Sequence, residues 1–194
     1  MLCCEGKNER RDCVLKRIAV VYRSKYGATK RYAQWLKEAL DADLYENKRL
    51  DPKSLAGYEA VILAGGIMAS GIKGIDLFTK QADALRGKRL YVLGVGASPA
   101  SPEVEQSIKD RYAAGALEQV PFYYARGAWD VSAMTTLDRG MCSLLHKTLK
   151  NKPKEELPVW AAALVESWDE KADWTDRAYL MPLIDRVLKD QANG

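Results

Sequence analysis

The chain has 194 residues, of which 47% are hydrophobic and 29% are charged, with a formal net charge of +4. This composition excludes collagen-like, fully disordered and multi-span membrane proteins. The charge excess is too small to indicate nucleic-acid binding. No apolar secretory segment follows Met1, so we expect a cytoplasmic protein. Residues 1–15 are predicted to be a flexible extension, and residues 16–194 to form a single domain.

Short apolar runs alternate along the chain with stretches of helical periodicity. The runs are continuous rather than alternating, which is typical of strands covered on both faces. Strands are predicted at 17–22, 43–46, 60–64, 90–95 and 120–125. Helices are predicted after the first strand, where Ala33, Leu36 and Leu40 share a face, at 77–86, after Ser101-Pro102-Glu103, and at about 176–189.

Five strands separated by helices predict an α/β fold with one doubly wound parallel sheet. In such sheets, ligands bind beyond the carboxyl ends of the strands, where the strand order reverses. The loops that follow the first, third and fourth strands are therefore the candidate ligand-binding segments.

The loop after the first strand leads directly into a helix. It combines hydroxyl side chains, a glycine that permits close backbone approach, and the free amides of a new helix, which together suit a phosphate group. Lys25 could add positive charge or extend into water. The predicted phosphate loop comprises Ser24, Lys25, Tyr26, Gly27, Ala28 and Thr29.

The loops after the third and fourth strands are rich in glycine and other small residues. Such loops let backbone amides approach a flat ligand, and isoleucine and methionine add apolar contacts. Three such loops at one edge predict a ligand that carries a phosphate. The predicted contacts are Gly66, Ile67, Met68, Ala69, Ser70 and Gly71 in one loop, and Gly96, Ala97 and Ser98 in the other.

The first loop resembles the phosphate loop of flavodoxins, because Ser24, Gly27 and Thr29 match its hydroxyl–glycine–hydroxyl pattern. Tyr26 stands where flavodoxins usually carry Ser or Thr. The wider chain resembles the flavodoxin-domain family that includes menaquinone-dependent protoporphyrinogen IX dehydrogenase. This resemblance implies a three-layer flavodoxin-like sandwich with strand order 2-1-3-4-5, a helical insertion after strand five at about 127–172, and noncovalent FMN.

The chain departs from flavodoxins that act as electron carriers in its net charge and in the lack of aromatic residues to stack on the flavin. The chain is basic. The loops after the third and fourth strands, which we call the flavin loops because the resemblance places the flavin ring between them, contain no aromatic residue. Both features favour the reduced anionic flavin, and therefore an oxidoreductase that moves electron pairs. We expect a redox partner or a small substrate such as a porphyrinogen or a quinone. The alternative is a one-electron carrier without its own substrate.

Arg126 follows the fifth strand at the same edge of the sheet. Its guanidinium could pair with a substrate carboxylate, such as a porphyrin propionate. The alternative is a salt bridge to a neighbouring loop. No residue is predicted as a catalytic acid or base, because flavin chemistry does not require one.

A basic amphipathic helix is predicted within 137–154. Between Leu137 and Lys154 the chain has five Lys or Arg residues and a single Asp. We expect the apolar stripe to pack on the domain, and peripheral contact with the inner face of a membrane is the alternative. The stripe comprises Leu137, Met141, Leu144, Leu145 and Leu149.

The remaining chemistry-bearing residues predict no metal site. Cys3, Cys4, Cys13 and Cys142 have no metal-ligand spacing and are expected to be reduced thiols, while His146 is expected on the polar face of the amphipathic helix. Trp160 and Trp168, at helical spacing with Leu164, are expected to serve packing.

Overall fold

The computed structural model describes residues 17–68, 71–112 and 117–193. Five parallel strands form its centre: β1 (Ile18–Arg23), β2 (Asp43–Glu46), β3 (Ala60–Met68), β5 (Arg89–Gly96) and β6 (Phe122–Arg126). They lie in the order β2-β1-β3-β5-β6, which confirms the predicted order 2-1-3-4-5 of the parallel strands. The second strand has the predicted bounds.

A short strand that was not predicted, β4 (Gly71–Ile72), extends this sheet. It pairs antiparallel with the end of β3, so that Ile67 lies opposite Ile72 and Met68 opposite Gly71. The prediction that β3 ends before Gly65 is therefore wrong. Gly66 still pairs with Val95 of β5, and its carbonyl accepts a hydrogen bond of 2.9 Å from the amide of Lys73. The predicted contacts Ala69 and Ser70 lie outside the described residues.

Helices cover both faces of the sheet and create two apolar cores. On one face, α1 (Ala28–Leu40) and α6 (Met181–Ala192) pack on alternate strand residues through side chains such as Leu36 and Leu183. On the other face, side chains of α2 (Asp76–Lys80) and α3 (Pro102–Tyr112), such as Phe78 and Val104, form the second core. The Ser101 hydroxyl accepts a hydrogen bond from the amide of Val104 at 3.2 Å, as expected of the predicted cap.

Two helices differ from their predicted bounds. The helix expected at 77–86 is divided: α2 ends at Lys80, and a 3-10 turn (Ala82–Leu85) follows Gln81. That turn contacts another 3-10 turn (Pro52–Leu55), a long-range contact that local periodicity does not encode. The last helix starts at Met181 rather than 176, after a 3-10 turn (Arg177–Leu180).

The segment between β6 and α6 has secondary structure of its own. Its ends form a two-stranded antiparallel sheet of β7 (Ala128–Asp130) and β8 (Lys171–Asp173). Between them lie α4 (Thr136–Leu149) and α5 (Val159–Glu166), which contact each other. Within the described residues, no helix has both the length and the apolar character needed to cross a bilayer. We call residues 127–175 the insertion.

Replacement of Leu183 with alanine tests the core beneath α6. Leu183 is fully buried, so Leu183→Ala is expected to lower the free energy of unfolding by about 2–5 kcal/mol through lost burial and the cavity left behind. The control is Leu188→Ala on the exposed side of the same helix, expected to change it by less than about 0.5 kcal/mol. Urea unfolding followed by circular dichroism measures both. Equal effects would contradict the assigned core.

Candidate functional site

The strand register places the three predicted loops at one edge of the sheet. Arg23 of β1 lies beside Gly65 of β3, and Gly65 lies beside Gly94 of β5. Gly96, at the end of β5, lies beside Arg126 at the end of β6. The carboxyl ends of four adjacent strands therefore surround one region, as the strand order requires.

The predicted phosphate loop joins β1 to α1 by a turn that only glycine adopts readily. Gly27 has a φ angle of 101° and directly precedes α1, whose N-terminus has no side-chain cap. The first amides of a helix have no partner within it, so they are available to an anion. The Ser24 hydroxyl accepts a hydrogen bond of 3.1 Å from the amide of Gly27, which fixes the loop and leaves the hydroxyl proton for another acceptor.

Two glycines bring the start of α1 close to the neighbouring strands. A Cβ on Gly66 would lie 3.4 Å from the Thr29 hydroxyl oxygen, and a Cβ on Gly127 would lie 3.4 Å from the Cβ of Ala28 and 3.0 Å from Val95. Thr29 is buried, whereas Lys25, Tyr26 and Gly27 are exposed. The loop is therefore held against β3 and β6 at its base and open to solvent at its tip.

The tip of the loop contacts the insertion through Asp138 of α4. The Tyr26 hydroxyl and the Lys25 ammonium both donate hydrogen bonds to the Asp138 carboxylate, which is only 4% exposed. These bonds, that of Lys25 first, lower the pKa of Asp138, and the bond to Asp138 raises the pKa of Lys25. The Tyr26 oxygen also accepts a bond from the amide of Thr135 at 3.3 Å. Lys25 therefore binds a carboxylate within the protein and does not simply extend into water.

The two flavin loops are tighter than their glycine content suggests. A Cβ on Gly94 would lie 2.9 Å from Ile67, and a Cβ on Gly96 would lie 2.9 Å from the Tyr124 hydroxyl, so both glycines make room for the protein's own atoms. The Tyr124 hydroxyl donates to the carbonyl of Ser98 at 2.7 Å. Gly71, with a φ angle of 121°, lies buried in the β3–β4 hairpin.

Arg126 is held by a backbone oxygen and an aromatic ring, and it forms no salt bridge with any residue that the structure describes. Its Nε donates to the carbonyl of Ala97 at 3.1 Å, and its guanidinium lies 3.7 Å from the centroid of the Trp174 ring. The carbonyl of Arg126 accepts a bond of 2.6 Å from the Tyr32 hydroxyl, and burial raises the pKa of Tyr32 to about 12. Arg126 therefore connects the second flavin loop to the end of the insertion.

Sequence reasoning did not identify Asp138 or Trp174 as site residues. Asp138 lies 113 positions from Lys25 in the chain, and it was counted only as a charge within the amphipathic helix. Trp174 lies outside every predicted loop. Their roles depend on how the insertion folds back, which no local pattern encodes.

The other chemistry-bearing residues lie elsewhere. Cys142 is a half-buried free thiol, and burial raises its pKa, while Cys3, Cys4 and Cys13 lie outside the described residues. His146 lies on the polar face of α4, as expected, and stacks on Trp168 with ring centroids 4.4 Å apart. Trp168 thus serves packing, as expected, whereas Trp160 is exposed.

Comparison with known protein families identifies the family of this chain. The model of the flavodoxin domain family matches residues 19–156, more than two thirds of the chain. The chain belongs to this flavodoxin family. Family membership gives FMN, bound noncovalently, as the cofactor and electron transfer as the general activity of a flavoprotein. Comparison with curated protein sequences found no match.

Several solved structures are similar to this flavodoxin-family chain. Two-electron reduced flavodoxin of Megasphaera elsdenii is 17% identical with a TM-score of 0.41, over 55% of this chain and 82% of that one. The Trp repressor binding protein of Bacillus subtilis is 18% identical with a TM-score of 0.39, over 57% and 83%. Oxidised flavodoxin 1 of Bacillus cereus is 14% identical with a TM-score of 0.36, over 77% and 97%.

The residues at the edge of the sheet fit FMN. An uncapped helix N-terminus behind a left-handed glycine suits a dianionic phosphate, and the Ser24 hydroxyl can donate to it. The ends of β3 and β5 carry small, half-buried residues at the same edge, such as Gly66 and Gly96. The site residues named from the sequence stay predictions, with Ala69 and Ser70 outside the described residues.

Alanine at position 27 tests the backbone of the phosphate loop. A Cβ on Gly27 meets no atom within 4 Å, so Gly27→Ala changes only the cost of the positive φ angle, about 1–3 kcal/mol. The apo loop is expected to relax away from this angle, which weakens FMN binding about 5- to 150-fold. Fluorescence titration of apoprotein with FMN measures this affinity.

Gly87→Ala is the matched control for this substitution. Gly87 also has a positive φ angle, 76°, and open space around it, but it lies in a turn before β5, at the opposite end of that strand from the site. This variant is expected to lose stability and keep its FMN affinity. Equal loss of affinity in both variants would contradict the assigned loop.

The pH dependence of stability tests the contact between the loop and α4. Because the folded-state pKa of Asp138 is lowered, its stabilising contribution is present above the unfolded value of about 3.9 and is lost as the pH falls below it. Asp138→Asn is therefore expected to unfold at lower urea than the wild type at pH 7, and the difference should shrink steadily as the pH falls through the lowered folded-state pKa of Asp138. The exposed Asp185→Asn is the control and should match the wild type throughout. A difference that stays constant from pH 7 down through the acid range would contradict an ionic contribution.

Proposed function

We propose that this chain is an FMN-dependent oxidoreductase that moves electron pairs between a reduced organic substrate and a quinone. A porphyrinogen with carboxylate side chains is the proposed substrate class, and protoporphyrinogen IX is its test compound. The observation that carries this proposal is the arrangement of Arg126 at the edge of the cofactor site.

Arg126 combines immobility with unused hydrogen-bonding capacity. Its Nε is bound to Ala97 and its plane lies on Trp174, so the guanidinium has one orientation. Within the part of the chain that the structure describes, Nη1 and Nη2 make no hydrogen bond or ion pair. A fixed guanidinium with two free nitrogen atoms suits a carboxylate or a carbonyl oxygen, which are the polar groups of porphyrinogens and quinones.

The insertion adds walls beside the cofactor site. Asp138 holds α4 on the phosphate loop, and Trp174 lies against Arg126 on the other side. Arg31 of α1 donates to Asp173 of β8 and to the hydroxyl of Thr175 at 2.7 Å, which holds the end of the insertion on the domain. A walled site favours a small substrate, whereas a one-electron carrier needs only an exposed flavin edge.

The chemistry requires only groups that this proposal names. FMN, when bound, supplies a centre that accepts and returns two electrons. Each oxidation removes two electrons and two protons from the substrate, and the quinone takes up the same number to become a quinol. Arg126 would orient the substrate, and its positive charge at the edge of the site favours a reduced flavin that carries negative charge.

Steady-state kinetics of Arg126 variants tests this function. FMN-loaded protein is expected to oxidise protoporphyrinogen IX with menadione as acceptor, measured by the fluorescence of the porphyrin product. Arg126→Met should raise KM about ten-fold or more through the lost charge-assisted bonds, and Arg126→Lys should recover part of it. The effect on kcat should be smaller, because the residue positions the substrate.

Arg177→Met is the matched control. Arg177 also lies over a tryptophan, Trp35, but it pairs with Glu38 on the outer part of α1. It should leave KM unchanged. If the FMN-loaded wild type fails to oxidise the porphyrinogen and reductive titration shows one-electron steps, the carrier alternative replaces this proposal.

A further inference from the structure

The helix α4 presents its apolar stripe to solvent. Leu137 is 72% exposed and Leu144 68%, and Met141 and Leu145 are exposed as well. Four large apolar side chains at helical spacing form one continuous face, which we call the α4 face. The expectation that this stripe packs on the domain is therefore wrong.

The polar side of α4 faces the protein, which explains the reversal. Asp138 is buried against Lys25 and Tyr26, and His146 stacks on Trp168. A helix held to the domain by these side chains must turn the opposite side outward. Leu149, the last residue of the predicted stripe, is half-buried on the inner side.

The neighbouring helix extends the apolar surface. Val159 and Trp160, at the start of α5, are 48% and 44% exposed, and α5 contacts α4. Tryptophan is enriched where proteins meet the interface between lipid and water.

Positively charged side chains lie beside the α4 face, and no exposed acidic residue of α4 neutralises them. Lys147 lies next to Leu144 on the helix surface, and Lys150 and Lys152 follow at its end. The one acid of the helix, Asp138, is buried and paired. Lys154 pairs with Glu166 and does not contribute. Two acids, Glu155 and Glu156, follow in the next turn, so the positive charge belongs to α4 and the residues just after it.

We propose that the α4 face docks on the surface of an anionic lipid bilayer. The leucines and Met141 would enter the boundary between headgroups and acyl chains, and the lysines would contact lipid phosphates. Charge complementarity favours lipid over a second copy of this chain, because a symmetric dimer would bring the same lysines together.

Membrane docking would also place the cofactor site. Asp138 and Thr135, at the start of α4, hydrogen-bond to the tip of the phosphate loop. A membrane beneath the α4 face therefore lies next to the edge where FMN binds, within reach of a lipid-soluble compound. The docking proposal does not depend on the proposed substrate.

Sedimentation with vesicles tests the proposal on the full, FMN-loaded chain. Vesicles of equal parts phosphatidylglycerol and phosphatidylcholine are expected to bind the protein, and phosphatidylcholine vesicles much less. The double variant Leu137→Ser, Leu144→Ser should have an affinity for the anionic vesicles at least about ten-fold lower than that of the wild type. The reason is that the apolar area available for insertion is lost. Lys147→Gln with Lys150→Gln should reduce binding and its dependence on salt.

The matched control removes two exposed apolar side chains elsewhere. Met181 and Leu188 of α6 are 52% and 48% exposed, and Met181→Ser with Leu188→Ser should bind vesicles like the wild type. Circular dichroism and FMN content show whether each variant is folded. Loss of vesicle binding by a folded variant can then be distinguished from failure of the proposed oxidoreductase function.

Three results would overturn the proposal. The first is vesicle binding that the α4 variants leave unchanged, and the second is equal binding to neutral and anionic vesicles. The third is a dimer in sedimentation equilibrium that only the leucine variant dissociates, which would assign the α4 face to a second copy of the chain.

Discussion

The N-terminus of α1 is the feature on which the rest of the site depends. A helix that begins without a cap has unpaired amides, and water must satisfy them until an anion takes its place. Gly27, with a φ angle of 101°, provides the left-handed turn by which the chain enters α1 from the end of β1. The close approach of Thr29 to Gly66 and of Ala28 to Gly127 then fixes the start of α1 relative to the ends of β3 and β6.

A second constraint comes from Asp138, which changes how this phosphate loop works. An isolated lysine at position 25 would attract phosphate by its charge, but here the ammonium is shared with a buried carboxylate. A phosphate bound at this predicted loop would therefore depend on the amides and dipole of α1 more than on side-chain charge. The same carboxylate holds the insertion in place, so cofactor binding and the position of α4 are physically connected.

Local patterns predicted the parallel strands and the Ser101 cap, because each of these features depends on a few neighbouring residues. The strand order was predicted from the resemblance of the phosphate loop and the wider chain to flavodoxins. Local patterns failed where a distant segment decides the structure. The β3–β4 hairpin depends on pairing of Ile67 with Ile72 within a glycine-rich segment that resembles a loop, and the division of the 77–86 helix depends on contact with Pro52–Leu55. The outward turn of α4 depends on Asp138 meeting Tyr26, 112 positions away.

The arrangement of side chains around α4 shows why the amphipathic pattern alone gave the wrong orientation of this helix. An amphipathic helix usually buries its apolar side, since burial of each large side chain is favourable by about 1.5–3 kcal/mol. In this chain one buried carboxylate with two donors, together with the His146–Trp168 stack, holds the polar side inward. The exposed leucines are then energetically unfavourable in the isolated protein. This cost is removed when another apolar phase covers them. In the docking proposed above, the surface of a negatively charged membrane would be that phase, and the exposed lysines at the end of α4 would contact its lipid phosphates.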